Sequence, residues 1–294
     1  MAIELRWVAS SSASCFHLAA EICAGRDPVE SRVAQAVAEP IVALAREIDT
    51  GQLPVEPFWQ HLLPLSAGIE NNTQLAELVL QKTIGSGIRA ETLTPLLAGR
   101  FSDLEIAYRR ALPNLADELA LRAGPLRSHW EARGPGLLAA IARMTDDRLV
   151  VERADVNLVQ PAVGGGGVTH LPYNSVTIEA VAANPNEQLP EPVRLGWLLS
   201  QLNLDLPVFS ETIPRDRLPL VAGLAMVPLV LTAAEQVGWV GAVDAALIAT
   251  AIDWWRLPVT PAAETAEVIE RWFNGYGASK PDFGVALTAL DRLV

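Results

Sequence analysis

The sequence predicts a mainly α-helical protein with a small β-sheet: an α+β chain with a helical N-terminal half, one strand–helix core and a helical C-terminus. Three observations carry that prediction. Half of the 294 residues are apolar, and much of that half is alanine, leucine and valine, which suits packed helices. Apolar residues recur at helical spacing through most of the chain, as in Val29, Val33, Val37, Ile41, Leu44 and Ile48. Strong β character is confined to Leu149–Ala183, which also holds the run Gly164 to Gly167. The chain is long enough to bury a large core, either as one continuous domain or as a helical region 1–145 and an α+β region 146–294.

In chain order, Ile3 to Val8 reads as a short strand, and Ser12 to Ala24 as a helix burying Phe16, Ala19, Ala20 and Cys23. Glu4 and Arg6 interrupt what would otherwise be the start of a signal peptide. Asp27, Pro28 and Glu30 form a capping-box pattern for the next helix, with Pro40 as its expected kink. Phe58–Leu65 and Asn71–Lys82 follow as helices, the second stopped by Gly85 and Gly87. Ser102–Glu105 repeats the capping-box pattern and is read as a helix start. Pro113, Gly124-Pro125 and Arg133–Gly136 are read as breaks between further short helices.

Leu149–Leu158 changes side-chain parity near Glu152, which implies a bulge or turn. Ser175–Ala183 alternates cleanly, with Val176, Ile178, Ala180 and Ala182 on one face and Ser175, Thr177 and Glu179 on the other. After the Asn184–Pro192 turn, a helix over 193–202 has Leu195, Leu198, Leu199 and Leu202 on its core face, with Arg194, Gln201 and Asp205 on the wetter side. Leu218 to Ala234 is seventeen residues without charge. That is short of a membrane span, and Pro219 and Pro228 divide it into blocks, so it reads as a buried helix pair with 237–252. Thr260-Pro261 opens a helix to Phe273, and Asp282 opens a last short one.

Charge and motifs exclude several functions. The formal net charge is −12 and the pI about 4.8, with no basic stripe, which argues against nucleic acid and against anionic membranes as partners. Cys15 and Cys23 are eight apart and not a C-x-x-C pair; they read as two buried thiols in a reducing cytoplasm. The glycine run leads into Val168-Thr169-His170-Leu171-Pro172, which is no helix start, and no lysine is near. It reads as a flexible hairpin or crossing loop rather than a phosphate cradle, with His170 at its end expected to reach the helix at 193–202. There is no G-x-S-x-G elbow, and Asp146-Asp147 and Glu264, Glu267 and Glu270 read as solvated carboxylates.

Val193-Arg194-Leu195-Gly196-Trp197-Leu198-Leu199 resembles the active-site helix of zincin-type metallopeptidases, in particular the small gluzincins, whose helix often reads His-Glu-Leu-Gly-His-Leu-Leu. The resemblance covers about residues 149–240. It implies an edge strand just before the helix, for which Ser175–Ala183 is the candidate, and a glutamate ligand on a later helix, for which Glu235 is the candidate relic. The chemistry itself is missing. Zinc needs two imidazoles one helical turn apart and a glutamate between them, and those places hold Val193, Trp197 and Arg194. His17, His61, His129 and His170 are far apart in sequence and do not supply the spacing.

The resemblance therefore implies a site plugged by apolar bulk: a zincin-like pseudoenzyme with no metal and no cofactor, acting on a protein partner. Two alternatives remain open at this stage. One is a soluble hydrolase whose open polar pocket collects several of Arg133, His170, Glu179 and Glu235. The other is a helical scaffold unrelated to zincins.

Overall fold

The computed structural model describes residues 3–181 and 186–294, which form a mainly α-helical fold with one small mixed sheet. The first region comprises β1 (Glu4–Ala9), α1 (Ser11–Cys23), α2 (Ser31–Thr50), α3 (Val55–Ser66), α4 (Asn72–Ile84), α5 (Ile88–Ala111) and α6 (Leu115–Met144). The sheet is completed by β2 (Arg153–Val159), β3 (Gly167–His170) and β4 (Ser175–Glu179). The remaining helices are α7 (Glu191–Leu199), α8 (Pro207–Ser210), α9 (Leu218–Gln236), α10 (Ala245–Trp254), α11 (Ala262–Ser279) and α12 (Phe283–Asp291).

The strands lie in the order β1-β2-β4-β3. The pairs β1–β2 and β2–β4 are parallel, and β3 runs antiparallel to β4. Because β1 pairs with β2 along its whole length, the N-terminal region supplies one strand of the sheet. One apolar core runs from Cys15 to Leu290 and joins both regions. His17 of α1 meets the face of β4 that carries Glu179, whereas Leu198 of α7 packs at Gly167, on the face of β3 shared with Val176 and Ile178. The sheet is thus covered on both faces.

Several expected boundaries differ, and in each case tertiary contacts override a local start or stop signal. The α2 helix starts at Ser31 rather than behind Asp27, because Val29 N–H is used across the fold on Ala162 O and Glu30 accepts from Gln160. Ser102 opens no helix; it lies inside α5 and its hydroxyl donates to Ala98 O. The expected short helices over 114–144 are one helix of 30 residues that runs through Pro125 and Pro135. At Gly134 a side chain would stand 2.4 Å from the Trp130 ring, so the glycine makes room for the indole rather than a loop. Pro228 likewise sits within a continuous α9, and α11 continues past Phe273 to Ser279.

The α9 helix is long and apolar enough to cross a membrane, yet 78% of its most apolar window is buried inside the fold, as befits a core helix. Cys15 is buried as expected but Cys23 is exposed.

Two corrections concern the sheet. Only Ser175–Glu179 of the expected strand is β4, and all five of its residues are buried on an inner strand; the edge beside α7 is β3. The polar parity of β4 therefore faces a helix and not solvent. Ala182, Ala183, Asn184 and Pro185 lie outside the described residues.

Candidate functional site

The site is built where three pieces meet: the end of β4, the glycine loop between β2 and β3, and the first turns of α7. Glu179 ends β4 with a fully buried carboxylate. The loop wraps around it. Ala162 and Val163 N–H each donate to Oε1 at 2.9 Å, Gly164 and Gly165 N–H donate to Oε2 at 2.8 and 2.9 Å, and Gly166 N–H donates at 3.3 Å. His17 Nε2 completes the shell, 3.0 Å from Oε1.

Successive backbone N–H groups converging on an anion make a nest, and here the anion is the chain's own side chain. The glycines are required. Gly164 and Gly165 have φ of +74° and +131°, and a side chain at Gly165 would stand 2.5 Å from Trp254 O. The expected flexible loop is therefore a tightly bonded one.

Burial pushes the Glu179 carboxyl up, but the His17 hydrogen bond and charge, with the N–H groups of Val163 and Gly165, outweigh it and hold the group well below the usual carboxylate range.

His170 does not reach α7. It is fully buried on the opposite face, with Nε2 2.9 Å from Thr177 Oγ1. Burial, reinforced by His17, lowers its pKa to about 3. The consequence for stability has a definite sign. Below the unfolded value of about 6.5 the unfolded chain protonates this imidazole while the folded chain does not, so stability present above pH ~6.5 is lost as pH falls toward 3. Glu179 acts in the same direction below the ordinary carboxylate range, about pH 4.5, because its folded form resists protonation. Chemical denaturation from pH 7 to pH 4 is expected to show a loss of about 3–5 kcal/mol, with His170→Asn flattening the upper part of the curve. An unchanged midpoint across that range would contradict the burial of a neutral His170.

On α7, Arg194 is buried, contrary to its expected place on a wet face, at 1% exposure. Its guanidinium donates to Gly166 O at 2.8 Å and Glu179 O at 2.6 Å, and it pairs with Glu191. It pins the helix to the glycine loop and to the end of β4. Val193 is fully buried. Trp197 stacks on Trp255 with ring centroids 5.2 Å apart, and its indole N–H donates to Gly223 O of α9 at 2.9 Å. Gly196 lets α7 approach α6 closely, since a side chain there would meet Leu137 at 2.7 Å.

The remaining sequence candidates stand apart. Glu235 is exposed at the far end of α9, twelve residues beyond Gly223 and so roughly 18 Å along the helix from the contact with Trp197. Arg133 caps that end, donating to Val237 O and Gly238 O at 3.0 and 2.8 Å. The four groups proposed for an open polar pocket do not meet: His170 and Glu179 lie beside His17, both closed off from solvent, while Arg133 and Glu235 stand at the far end of α9. His61 is tied to the Tyr173 hydroxyl at 2.8 Å.

A groove of about 220 Å³ does run along this core, between β3, α7 and the turn after α10, with Thr169, Trp197, Leu198 and Trp255 in its lining. Two larger hollows, of about 870 and 740 Å³, lie between α4 and α5 and around the α11–α12 turn, away from the sheet and α7.

Val193, Arg194 and Trp197 offer zinc no donor: the first is aliphatic, the second is a cation, and the indole nitrogen of the third is a hydrogen-bond donor only. Among the described residues no group of three or more His, Cys, Asp or Glu side chains is arranged to hold a metal ion. No family model, curated protein or solved structure is similar to this chain. The functional reading therefore rests on the residues themselves.

The sequence identified the glycine loop, Glu179 and Arg194 separately. It gave no sign that they form one cluster, or that His17, some 160 residues before Glu179, belongs to it.

Proposed function

We propose that the chain is a metal-free, non-catalytic protein with a zincin-like strand–helix core, acting by binding another protein. The observation that carries this reading is how the three positions of the resembled motif are filled. Trp197 stands in the place of the second imidazole and is held from two sides, by the Trp255 stack and by the bond to Gly223 O. Val193, in the place of the first, is fully buried. Arg194, in the place of the glutamate, spends its guanidinium on Gly166 O, Glu179 O and Glu191. A water-polarising base has been exchanged for a structural cation, which is the opposite charge for that task.

Two further features support the reading. An antiparallel edge strand, β3, lies beside α7, although the strand the resemblance offered for that place, Ser175–Glu179, is an inner one. The groove between them is partly apolar and open at the surface, as a binding site for a polypeptide needs.

The test is hydrolysis of a mixed fluorogenic peptide library by the purified full chain, with and without added zinc. No turnover above that of the heat-denatured protein is expected in either condition. Turnover that a chelator abolishes, or that Arg194→Met abolishes while the fold is retained, would overturn the proposal.

A further inference from the structure

We infer that the groove between β3 and α7 takes an extended segment of a partner protein that carries an acidic side chain, added as a further strand on the β3 edge. This rests on the protein-binding reading above and names the site and the chemistry of the partner.

The first observation is the edge. Among the described residues β3 pairs only with β4. Glu179 N–H donates to Gly166 O, and alternation along an antiparallel ladder then turns the N–H and C=O of Gly167 and Thr169 away from β4. Both residues line the groove. An unpaired edge beside a groove is the arrangement to which a peptide adds by main-chain hydrogen bonds, with pockets reading its alternate side chains.

The second is size and polarity. A volume of about 220 Å³ is below the 300–1,000 Å³ usual for small-molecule sites, and matches a side chain or two better than a cofactor. The floor is apolar, formed by Trp197, Leu198, Trp255 and Leu257.

The third is charge, and it decides the class of occupant. The chain carries 34 acidic and 22 basic residues, yet among the described residues the groove is lined by Arg26 and Arg256 and by no aspartate or glutamate. Arg26 is already compensated, 3.1 Å from Glu21. Arg256 is not: it is exposed and donates to the neutral Val163 O at 3.2 Å, with no carboxylate in salt-bridge range among the described residues. One uncompensated guanidinium over an apolar floor and beside a free edge selects a carboxylate on an extended chain, in bidentate geometry. A second copy of this chain pairing edge to edge would present Gly167–His170, which has no acidic residue.

The experiment selects peptides on the intact protein from a displayed library of short random sequences held inside a carrier loop, so that no free C-terminus is offered. Enriched peptides are then made with both ends blocked, and their affinity is read by fluorescence anisotropy. The expected result is a fixed Asp or Glu near an apolar residue. Affinity should fall at least ~10-fold when that acid becomes its amide or when Arg256→Gln is used. It should also fall on N-methylation of alternate peptide bonds, and Arg256→Glu should recover binding to peptides whose acid is changed to lysine.

Selection without an acidic consensus, equal binding by Arg256→Gln, or insensitivity to N-methylation would each overturn the inference. So would binding confined to free C-termini, or self-association through this edge in sedimentation. Zinc uptake by the same sample would sink the broader reading instead, whereas a zinc-free protein that binds no acidic peptide sinks only this one.

Discussion

Glu179→Gln is expected to destabilise the fold by about 3–5 kcal/mol, the usual cost of breaking a buried ion pair, and to lower Tm by roughly 10 °C. The variant keeps shape and volume, so the loss isolates charge. Five backbone N–H groups and His17 Nε2 converge on this carboxylate. A neutral amide accepts through one oxygen only, and its NH2 group must face N–H donors, so at least two buried donors lose their acceptor. The effect should reach further than the loop. Gly166 O and Glu179 O are both acceptors for Arg194, so loosening the loop also frees the start of α7. Hydrogen exchange should accordingly quicken at the amides of Ala162 to Gly166 and at α7 together. A Tm shift under about 2 °C, of the size expected for an exposed substitution such as Glu267→Gln, would mean the nest is not what fixes the loop.

Trp197→Ala is expected to cost about 3–5 kcal/mol. The indole is 6% exposed, stacks on Trp255 and bonds Gly223 O, so truncation leaves a cavity where α7, α9 and the turn after α10 meet. Trp197→Phe keeps most of the volume and the ring contact but leaves Gly223 O without its side-chain donor; about 1–2 kcal/mol is expected. Trp197→His should cost as much as a cavity variant and should not create a zinc site, because Val193 and Arg194 beside it offer no donor. Urea denaturation of the three variants measures this. A Trp197→Ala loss below about 1 kcal/mol would show that the position is not a packed plug.

How much of this was legible in the sequence depends on which physical effect decided each element. Periodicity located α1, α2 and α4 to within a few residues; α2 and α4 each bury one stripe against the core, whereas α1 is buried nearly all round. Proline and glycine misled wherever tertiary packing could absorb the missing hydrogen bond. Pro125, Pro135 and Pro228 all sit inside continuous helices, and Gly134 serves the Trp130 ring.

The site failed for a related reason. Ser175, Thr177 and Glu179 alternate with apolar residues, the pattern of a strand with one wet face. Alternation reports polarity, not exposure, and here the polar face meets a helix bearing His17. The same logic places Arg194 on a wet face, yet beyond its local pair with Glu191 its partners are carbonyls contributed by a loop and a strand end, which no local pattern announces. Val193 and Trp197, by contrast, read directly as packed apolar residues one turn apart, and both are buried.

The central claim is tested most directly by metal content. Tag-free protein purified without chelator is analysed for its elements, then titrated with zinc while heat and Tm are followed. The expected result is substoichiometric metal, no binding isotherm and no change in Tm. Stoichiometric zinc, or a Tm raised by zinc and restored by chelator, would contradict the account and place a donor set in this chain that Val193, Arg194 and Trp197 do not provide.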